Sequence, residues 1–301
     1  MNAIDTLIAQ AGVRGSLDLR CQFQGDWALD HSQEALGTAP YHIVLAGGCR
    51  IQLPDGQRQT LRAGDILLLP GGSGHLLLSA GREVAPNLPR VEEGGVLPVH
   101  RFGEPGIELD MLCGRFHYNP ASMLLSALPQ HLVIGGADLA ADSSLRALVQ
   151  LLRSEAEAEQ LGAGVLLDAL SSALFTLILR AYLAQVQPSA GPLALLSDKR
   201  LKRAWQAMLE APANDWTIER LAGIAAMSRA TFMRVFVRVA GVSPWVLLTQ
   251  VRMERAFNLL SHSPLGLNEI AAQVGYQSQA AFSKKFKQVY GQAPGRVRRA
   301  L

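Results

Sequence analysis

Between Trp216 and Arg299 one pattern is written twice, and this repetition constrains the fold of the 301-residue chain more than any other feature. Leu221-Ala222 is followed by Met227-Ser228, Phe232, Phe236, Gly241 and Pro244, and Ile270-Ala271 by Ser278, Phe282, Phe286, Gly291 and Pro294. The last four landmarks recur 50 residues apart, whereas Leu221/Ile270 and Ala222/Ala271 recur at 49, so the second copy has one extra residue in its turn. A solenoid needs at least three stacked units. Two copies read instead as a pair of helix-turn-helix units.

In the first copy Thr217 is placed to cap a helix over residues 218–225, whose Ile218, Leu221, Ala222 and Ala225 share one stripe. Ser228 caps a second helix that buries Phe232, Val235, Phe236 and Val239 and shows Arg229, Arg234 and Arg238 on its other face. In the second copy Asn268 is expected to cap residues 269–273, Gly275 to supply the turn and Ser278 to cap a helix burying Phe282 and Phe286. Gln279, Ser283, Lys284 and Lys287 fall opposite. Arg, Lys, Gln and Ser on an exposed helix face are what reaching phosphates and base edges in a major groove requires. Solvation alone explains one such face less readily when a second repeats it. Trp245 to Leu260, between the copies, reads as an unbroken helix with Met253, Ala256 and Leu260 on one side. At 1.5 Å per residue it makes a rod of about 24 Å, able to hold two reading helices for successive groove segments ~34 Å apart.

These residues, with Val274-Gly275-Tyr276 and Phe286-Lys287, resemble the DNA-binding domain of AraC-type bacterial transcription regulators over about a hundred positions. The resemblance implies a sequence-specific DNA-binding regulator, an activator rather than an enzyme, with double-stranded promoter DNA, RNA polymerase and a second copy of the chain as partners. Carried over by position, it puts Arg229, Ala230, Met233 and Arg234 on the first reading face and Gln279, Ala280, Ser283 and Lys284 on the second. Arg234 suits a bidentate contact to guanine and Gln279 a contact to adenine.

Charge supports a polyanionic partner. Residues 190–301 hold 16 Lys/Arg against 6 Asp/Glu, and residues 1–189 hold 12 against 19. Such segregation raises affinity for nucleic acid and makes it salt dependent. Met1 to Gln10 has no basic stretch leading into a long apolar core, so no signal peptide is expected. The most apolar run, Val165 to Leu179, is interrupted by Asp168, Ser171, Ser172 and Thr176 and falls short of a span of ~20 apolar residues, which points to a packing helix in a cytoplasmic protein.

The first half reads as strands. Leu17, Leu19, Cys21 and Phe23 alternate with polar neighbours, as do Cys49, Ile51 and Leu53, and Ile107, Leu109, Met111 and Cys113. Short strands between Gly- and Pro-rich turns suggest a β-barrel or sandwich. Gly64-Asp65 through Pro70-Gly71-Gly72-Ser73-Gly74-His75 has the spacing of the second cupin motif, so residues 15–115 resemble a cupin-like sensor domain. In metal-binding cupins that histidine is a ligand, but the stretch corresponding to the companion motif, Tyr41 to Arg50, offers His42 alone. One histidine per motif is a poor metal site, so no metal or other cofactor is expected, and His75 reads as structural or pocket-lining. Residues 81–106, with Gly81, Pro86, Pro89, Gly94, Pro98 and Pro105, read as a long loop able to carry a short strand and cover the barrel mouth.

From Pro120 the pattern becomes helical. Leu145, Leu148, Val149 and Leu152 mark one helix and Leu166, Leu170, Leu174, Leu177 and Ile178 a more apolar one. They can pack within the chain or pair across a two-fold axis, and the resemblance implies dimerisation. The expected organisation is α+β and multidomain: a cupin-like barrel over 1–130, a helical dimerisation and linker region over 131–192, and the all-α tandem helix-turn-helix domain over 193–301. Two modes of control stay open. Cys21 adjoins Arg20, and positive charge favours a reactive thiolate. The runs Arg20-Cys21 to Trp27 and Leu112-Cys113-Gly114-Arg115 are also similar to the family branch that contains a sensor of reactive chlorine species. The alternative is a small effector in the barrel touching Trp27, His42 or His75. A cupin-type enzyme fused to a regulator is a third reading, without assigned catalytic residues.

Overall fold

Alternation of apolar and polar residues in the first half resolves into ten strands among the residues described by the computed structural model, which are 2–93, 95–103, 107–140, 143–158 and 160–300. The strands are β1 (Arg14–Phe23), β2 (Ala28–His31), β3 (Thr38–Gln52), β4 (Arg58–Arg62), β5 (Ile66–Leu68), β6 (His75–Leu78), β7 (Arg90–Glu92), β8 (Val99–Phe102), β9 (Leu109–His117) and β10 (Leu132–Ile134). They form a curled sheet in the order β10-β5-β3-β9-β1-β8-β7, while the far half of β3 pairs with β4 and β6, and β6 with β2. With 15 residues, β3 spans both halves of the curl. The resulting half-barrel encloses Phe23, Trp27, Val44, Ile51, Leu77 and Met111. Cys21 and Phe23 face this interior with Leu19 packed against them, whereas a register shift between Leu17 and Leu19 breaks the expected parity and leaves the buried Leu17 outside this cluster.

The segment 81–106, expected as a long loop able to carry one short strand, carries two, β7 and β8, with β8 parallel to β1 and β7 at the edge; Gly94 and Pro105 lie outside the described residues. These strands have three and four residues, too few for alternation to declare itself between prolines. β10 escapes the sequence pattern for the same reason. Ile107 precedes β9 and is exposed, and Asp110, expected outside, is buried together with Leu112, because β9 is covered on both faces. Helix α4 (Ala163–Gln185) packs on β1 and β9 and against α3 (Ser144–Ala158). Gly15 is required where α4 meets β1, since a Cβ there would lie 2.4 Å from the backbone of Ser171. Ser171 and Ser172 are bonded in that contact, Tyr41 Oη donating to or accepting from Ser171 Oγ at 3.0 Å and the Gly15 N–H donating to Ser172 Oγ at 2.8 Å. The buried stripe of α4 is Leu167, Ser171, Leu174, Phe175 and Ile178, rotated from the predicted one, so Leu166 is exposed.

A second unit gathers residues 1–12, 119–127 and 186–301. The sequence reading assigned the first two segments to the sensor half, because nothing in their composition declares their partners. Helix α1 (Ala3–Ala11) and the short α2 (Met123–Ser126) pack together in this unit, and α1 also packs on α6 (Leu201–Glu210) and α9 (Pro244–His262). The expected rod is α9, of 19 residues, with Met253, Ala256 and Leu260 in the core of the second repeat. Its Glu254 is fully buried and accepts a hydrogen bond from the Met123 N–H at 2.8 Å, while Gln250 donates to the Ala121 carbonyl. Tyr290 Oη donates to Asn119 Oδ1 at 2.9 Å, and Asn258 donates to the Gln10 carbonyl at 2.9 Å.

The first repeat is α7 (Ile218–Ile224) and α8 (Arg229–Ala240), and the second is α10 (Leu267–Gln273) and α11 (Gln279–Tyr290). Thr217, Ser228 and Ser278 cap as expected, accepting from Arg220, Thr231 and Ala281 N–H groups. Asn268 does not cap: α10 starts two residues earlier, with Gly266 at the cap and the Glu269 carboxylate accepting from its N–H at 2.6 Å. Four residues separate α7 from α8 and five separate α10 from α11, which places the extra residue in the second turn. Both turns need one left-handed residue, Gly275 at φ 85° and Ala226 at φ 52°.

A left-handed alanine costs roughly 1–2 kcal/mol relative to glycine, while glycine returns ~0.4–1 kcal/mol to the unfolded chain. Ala226→Gly should therefore stabilise this unit by about 0.5 kcal/mol, visible as a higher urea midpoint at unchanged slope. Burial pushes the Glu254 carboxyl up to about 8. The folded carboxyl keeps its proton to that pH, whereas the unfolded one releases it near 4.5. The unfolded state thus binds fewer protons in between, and stability declines as pH rises through that window. The thermal midpoint should fall between pH 5 and 8 in the wild type, and Glu254→Gln, which keeps an acceptor for Met123, should flatten the dependence.

Candidate nucleic-acid interface and sensor site

Capping fixes the two reading helices alike. Each has 12 residues, begins after a serine and ends at a left-handed glycine, Gly241 at φ 74° and Gly291 at φ 71°. Phe232 and Phe236 anchor α8, and Phe282 and Phe286 anchor α11, all fully buried. This orientation leaves Arg229, Ala230 and Arg234 exposed with Met233 half-buried, and Gln279, Ala280 and Lys284 exposed with Ser283 half-buried. All eight residues singled out from the sequence thus lie on accessible or half-accessible positions of the two helices. The Arg229 guanidinium lies 2.8 Å from Glu219 Oε1 of α7, an exposed pair worth little to stability.

Not every cation of the basic half is available to a ligand. Arg252 of α9 donates to three backbone carbonyls, of Pro212, Gly275 and Asn214, at 2.7, 3.2 and 3.1 Å. Partial burial lowers its pKa. It ties the turn of the second repeat to the segment before the first. Arg220 lies over the Trp216 ring at 4.6 Å. Neither role has a local sequence signature, since both depend on contacts made through the fold.

In the barrel, strand register assembles a second constellation. Residues directly opposite on paired strands share a face, and three such pairs meet here: His31 with His75 across β2 and β6, His42 with Cys113 across β3 and β9, and Cys21 with His100 across β1 and β8. Cys21 and Cys113 bring their sulfurs to 3.9 Å. His42 Nδ1 lies 3.1 Å from Cys113 Sγ, His42 Nε2 lies 2.9 Å from His75 Nε2, and His75 Nδ1 lies 3.1 Å from the Ser73 carbonyl. The His31 ring stacks on His75 with centroids 4.5 Å apart. A cavity of about 250 Å³ opens on this group, lined also by Asp30, Glu34 and Arg115.

The protons of this chain run in one direction. A carbonyl only accepts, so His75 Nδ1 carries a hydrogen and its Nε2 accepts from His42 Nε2–H. His42 Nδ1 then accepts from the Cys113 thiol. The imidazoles are neutral: burial, then the neighbouring histidines, holds His42 well below its ordinary value, and burial, then His75, takes His31 down to about 3. Burial lowers His75 as well, and burial with the Cys21 contact raises the Cys113 thiol.

Cys21, Cys113, His42 and His75 thus come together. Trp27 does not join them: it is packed against Phe23 and Phe102 and lines a different cavity, of about 440 Å³, together with Cys49. The Cys49 thiol is pushed up to about 12 by burial. Arg20 does not act on Cys21 as its adjacency suggested. Alternation sends it to the other face of β1, where it bonds Asp110 Oδ1 and Oδ2 at 2.7 and 2.6 Å and Glu157 at 2.9 Å. Sequence reasoning passed over His31 and His100. The first sits outside both motif stretches, and the second in the segment read as a loop. The expectation that histidines are too few for a metal counted only those in the motifs, whereas His31, His42 and His75 each offer a ring nitrogen within 4.8 Å of the others.

A family model described as cupin matches residues 2–184, and one described as helix-turn-helix domain matches residues 221–300. The chain is 36% identical to an uncharacterized HTH-type transcriptional regulator of Haemophilus influenzae, over 100% of this chain and 99% of that protein. It is 33% identical to the HTH-type transcriptional regulator MtrA of Neisseria gonorrhoeae, over 99% of this chain and 98% of the relative. To the RCS-specific HTH-type transcriptional activator RclR of Escherichia coli K12 it is 30% identical, over 99% of this chain and 97% of that one.

Proposed function

The chain belongs to the AraC-type helix-turn-helix transcription regulators that carry an N-terminal cupin domain, and from that premise we propose that oxidation at Cys21 controls its reading of promoter DNA. The observation that carries this reading is the 3.9 Å approach of Cys21 Sγ to Cys113 Sγ beside a cavity. The likeness to an RCS-specific activator favours hypochlorous acid as the oxidant class. In the proposed step the Cys21 thiol takes chlorine from HOCl and water leaves. The Cys113 thiol then attacks the Cys21 sulfur, releasing chloride and a proton as the disulfide forms. Since S–S bonds are about 2.05 Å long, the sulfurs close by roughly 2 Å and Cys113 gives up its bond to His42. β9 carries Cys113 and ends at His117, and residues 119–127 follow it in the chain, bonded to α9 and Tyr290. A shift of β9 reaches the reading helices along that covalent path.

At the DNA, α8 and α11 enter successive major-groove segments, with Arg234 on guanine and Gln279 on adenine. Arg229 exchanges Glu219 for phosphate. Ala230 and Met233 read no hydrogen-bond pattern, so the first unit's specificity rests on few side chains. Lys284 and Ser283 complete the second face with Ala280. Two chains pair through α3 and α4, whose Leu151 and Leu166 are exposed, and the dimer acts as an activator on RNA polymerase in the cytoplasm.

Arg234→Ala should weaken binding to the specific site by about 1–3 kcal/mol and relax preference at one base pair. A uniform loss on all sequences would assign Arg234 to phosphate. Cys21→Ser should abolish the reporter response to hypochlorous acid while leaving basal DNA binding intact, with Cys49→Ser, buried elsewhere, responding as wild type. An undiminished response in Cys21→Ser would end the thiol reading.

A further inference from the structure

We propose that His31, His42 and His75 bind one divalent transition metal of the zinc class in the sensor half-barrel. The three residues come from three strands: His75 stands in the second cupin motif, His42 in the stretch corresponding to its companion, and His31, on β2 outside both, completes the set. Their ligand nitrogens already lie within 4.8 Å of one another. Zinc–nitrogen bonds of about 2.0–2.1 Å at tetrahedral angles put ligand nitrogens roughly 3.3 Å apart. The 2.9 Å contact between His42 and His75 therefore opens slightly, and the His31 ring moves inward. His31 has freedom to do so: it is only half-buried, and its Nδ1, itself sealed from solvent, makes no hydrogen bond.

The donors fit borderline metals. Neutral imidazole is a preferred ligand of zinc, copper, iron and nickel, and hard cations such as magnesium and calcium take oxygen ligands instead. Outer partners are in place, since metal-bound histidine commonly donates its second N–H to a carbonyl or an anion. His75 already donates Nδ1–H to Ser73. For His42 the metal would take Nε2, so its proton moves to Nδ1 and that nitrogen changes from acceptor to donor toward Cys113. His42 stays neutral throughout. The charge of Arg115 at the cavity is offset by its bonds to Asp18 and Glu34, and Asp30 adds a further carboxylate to the lining. A three-histidine set leaves a fourth position facing that cavity, open to water or a small anion.

The proposal goes beyond oxidant control and is tested without it. Metal-free, tag-free, full-length protein is kept reduced and titrated with Co²⁺ and then Zn²⁺ against a competing chelator. The expected result is one Co²⁺ per chain, with visible absorption that Zn²⁺ abolishes. His31→Asn should weaken binding by at least the about 10–100-fold that loss of an outer partner costs. Cys113→Ser, which touches His42 but is not a ligand, and Cys21→Ser should keep one metal per chain. Circular dichroism and thermal unfolding of each metal-free variant establish that it is folded, and His75→Gln replaces any His31 variant that is not. Stoichiometry well below one in the wild type, or wild-type affinity in the folded histidine variant, overturns the proposal. Either result leaves the thiol reading standing, because that reading is decided by the hypochlorous acid response.

Discussion

The pairing of β3 with β9 is the interaction on which the sensor half depends. Both strands lie inside the sheet with a neighbour on each side, and their register puts His42 opposite Cys113. A slip of one residue would turn every side chain of one strand to the other face. Cys113 would leave the barrel interior, and the thiol-imidazole contact could not form. A register irregularity between Val44 and Ala46 lets the same strand keep that pairing and then bend away to meet β4 and β6. The length of β3 thus serves the chemistry, because it delivers His42 to β9 and, through β6, brings His75 within reach.

How much of this was legible in the sequence follows from the range of each interaction. The helix-turn-helix pair was readable to the residue because its determinants are local: serine caps, phenylalanines four apart and glycine stops. Its one misreading, Asn268 as a cap, arose because Glu269 does that work from inside the helix and Gly266 has no side chain to announce itself. Parity placed Cys21 and Cys49 indoors correctly. It could not say which buried residues meet, because Cys21 and Cys113 are 92 positions apart and Trp27 and His75 have equal claim to a pocket by composition. His31 was invisible for the same reason: its value comes from the residue across the sheet.

Adjacency also misled where periodicity should have prevailed. Arg20 stands next to Cys21 in the chain, yet neighbours on a strand point to opposite faces. Arg20 closes an ion network with Asp110 and Glu157 outside the barrel, while Cys21 meets sulfur within. The immediate polar neighbour of the thiol is consequently a group across the sheet, the Cys113 sulfur, and not the guanidinium beside it in the chain. The basic excess of the other half needs similar care, since Arg252 is committed to backbone carbonyls and carries fold rather than surface charge.

The chain passes between its two units four times, because residues 1–12 and 119–127 complete the unit that holds the repeats. The molecule is therefore woven rather than strung. Its sensing and reading halves cannot be exchanged like beads: a fragment cut at the linker would lose Leu7, Met123 and Leu124 from its core and leave Glu254 without its donor. Any recombination that gives this reader a new signal has to carry these two short segments along or replace them in kind, which makes the regulator heritable as a whole more readily than as parts.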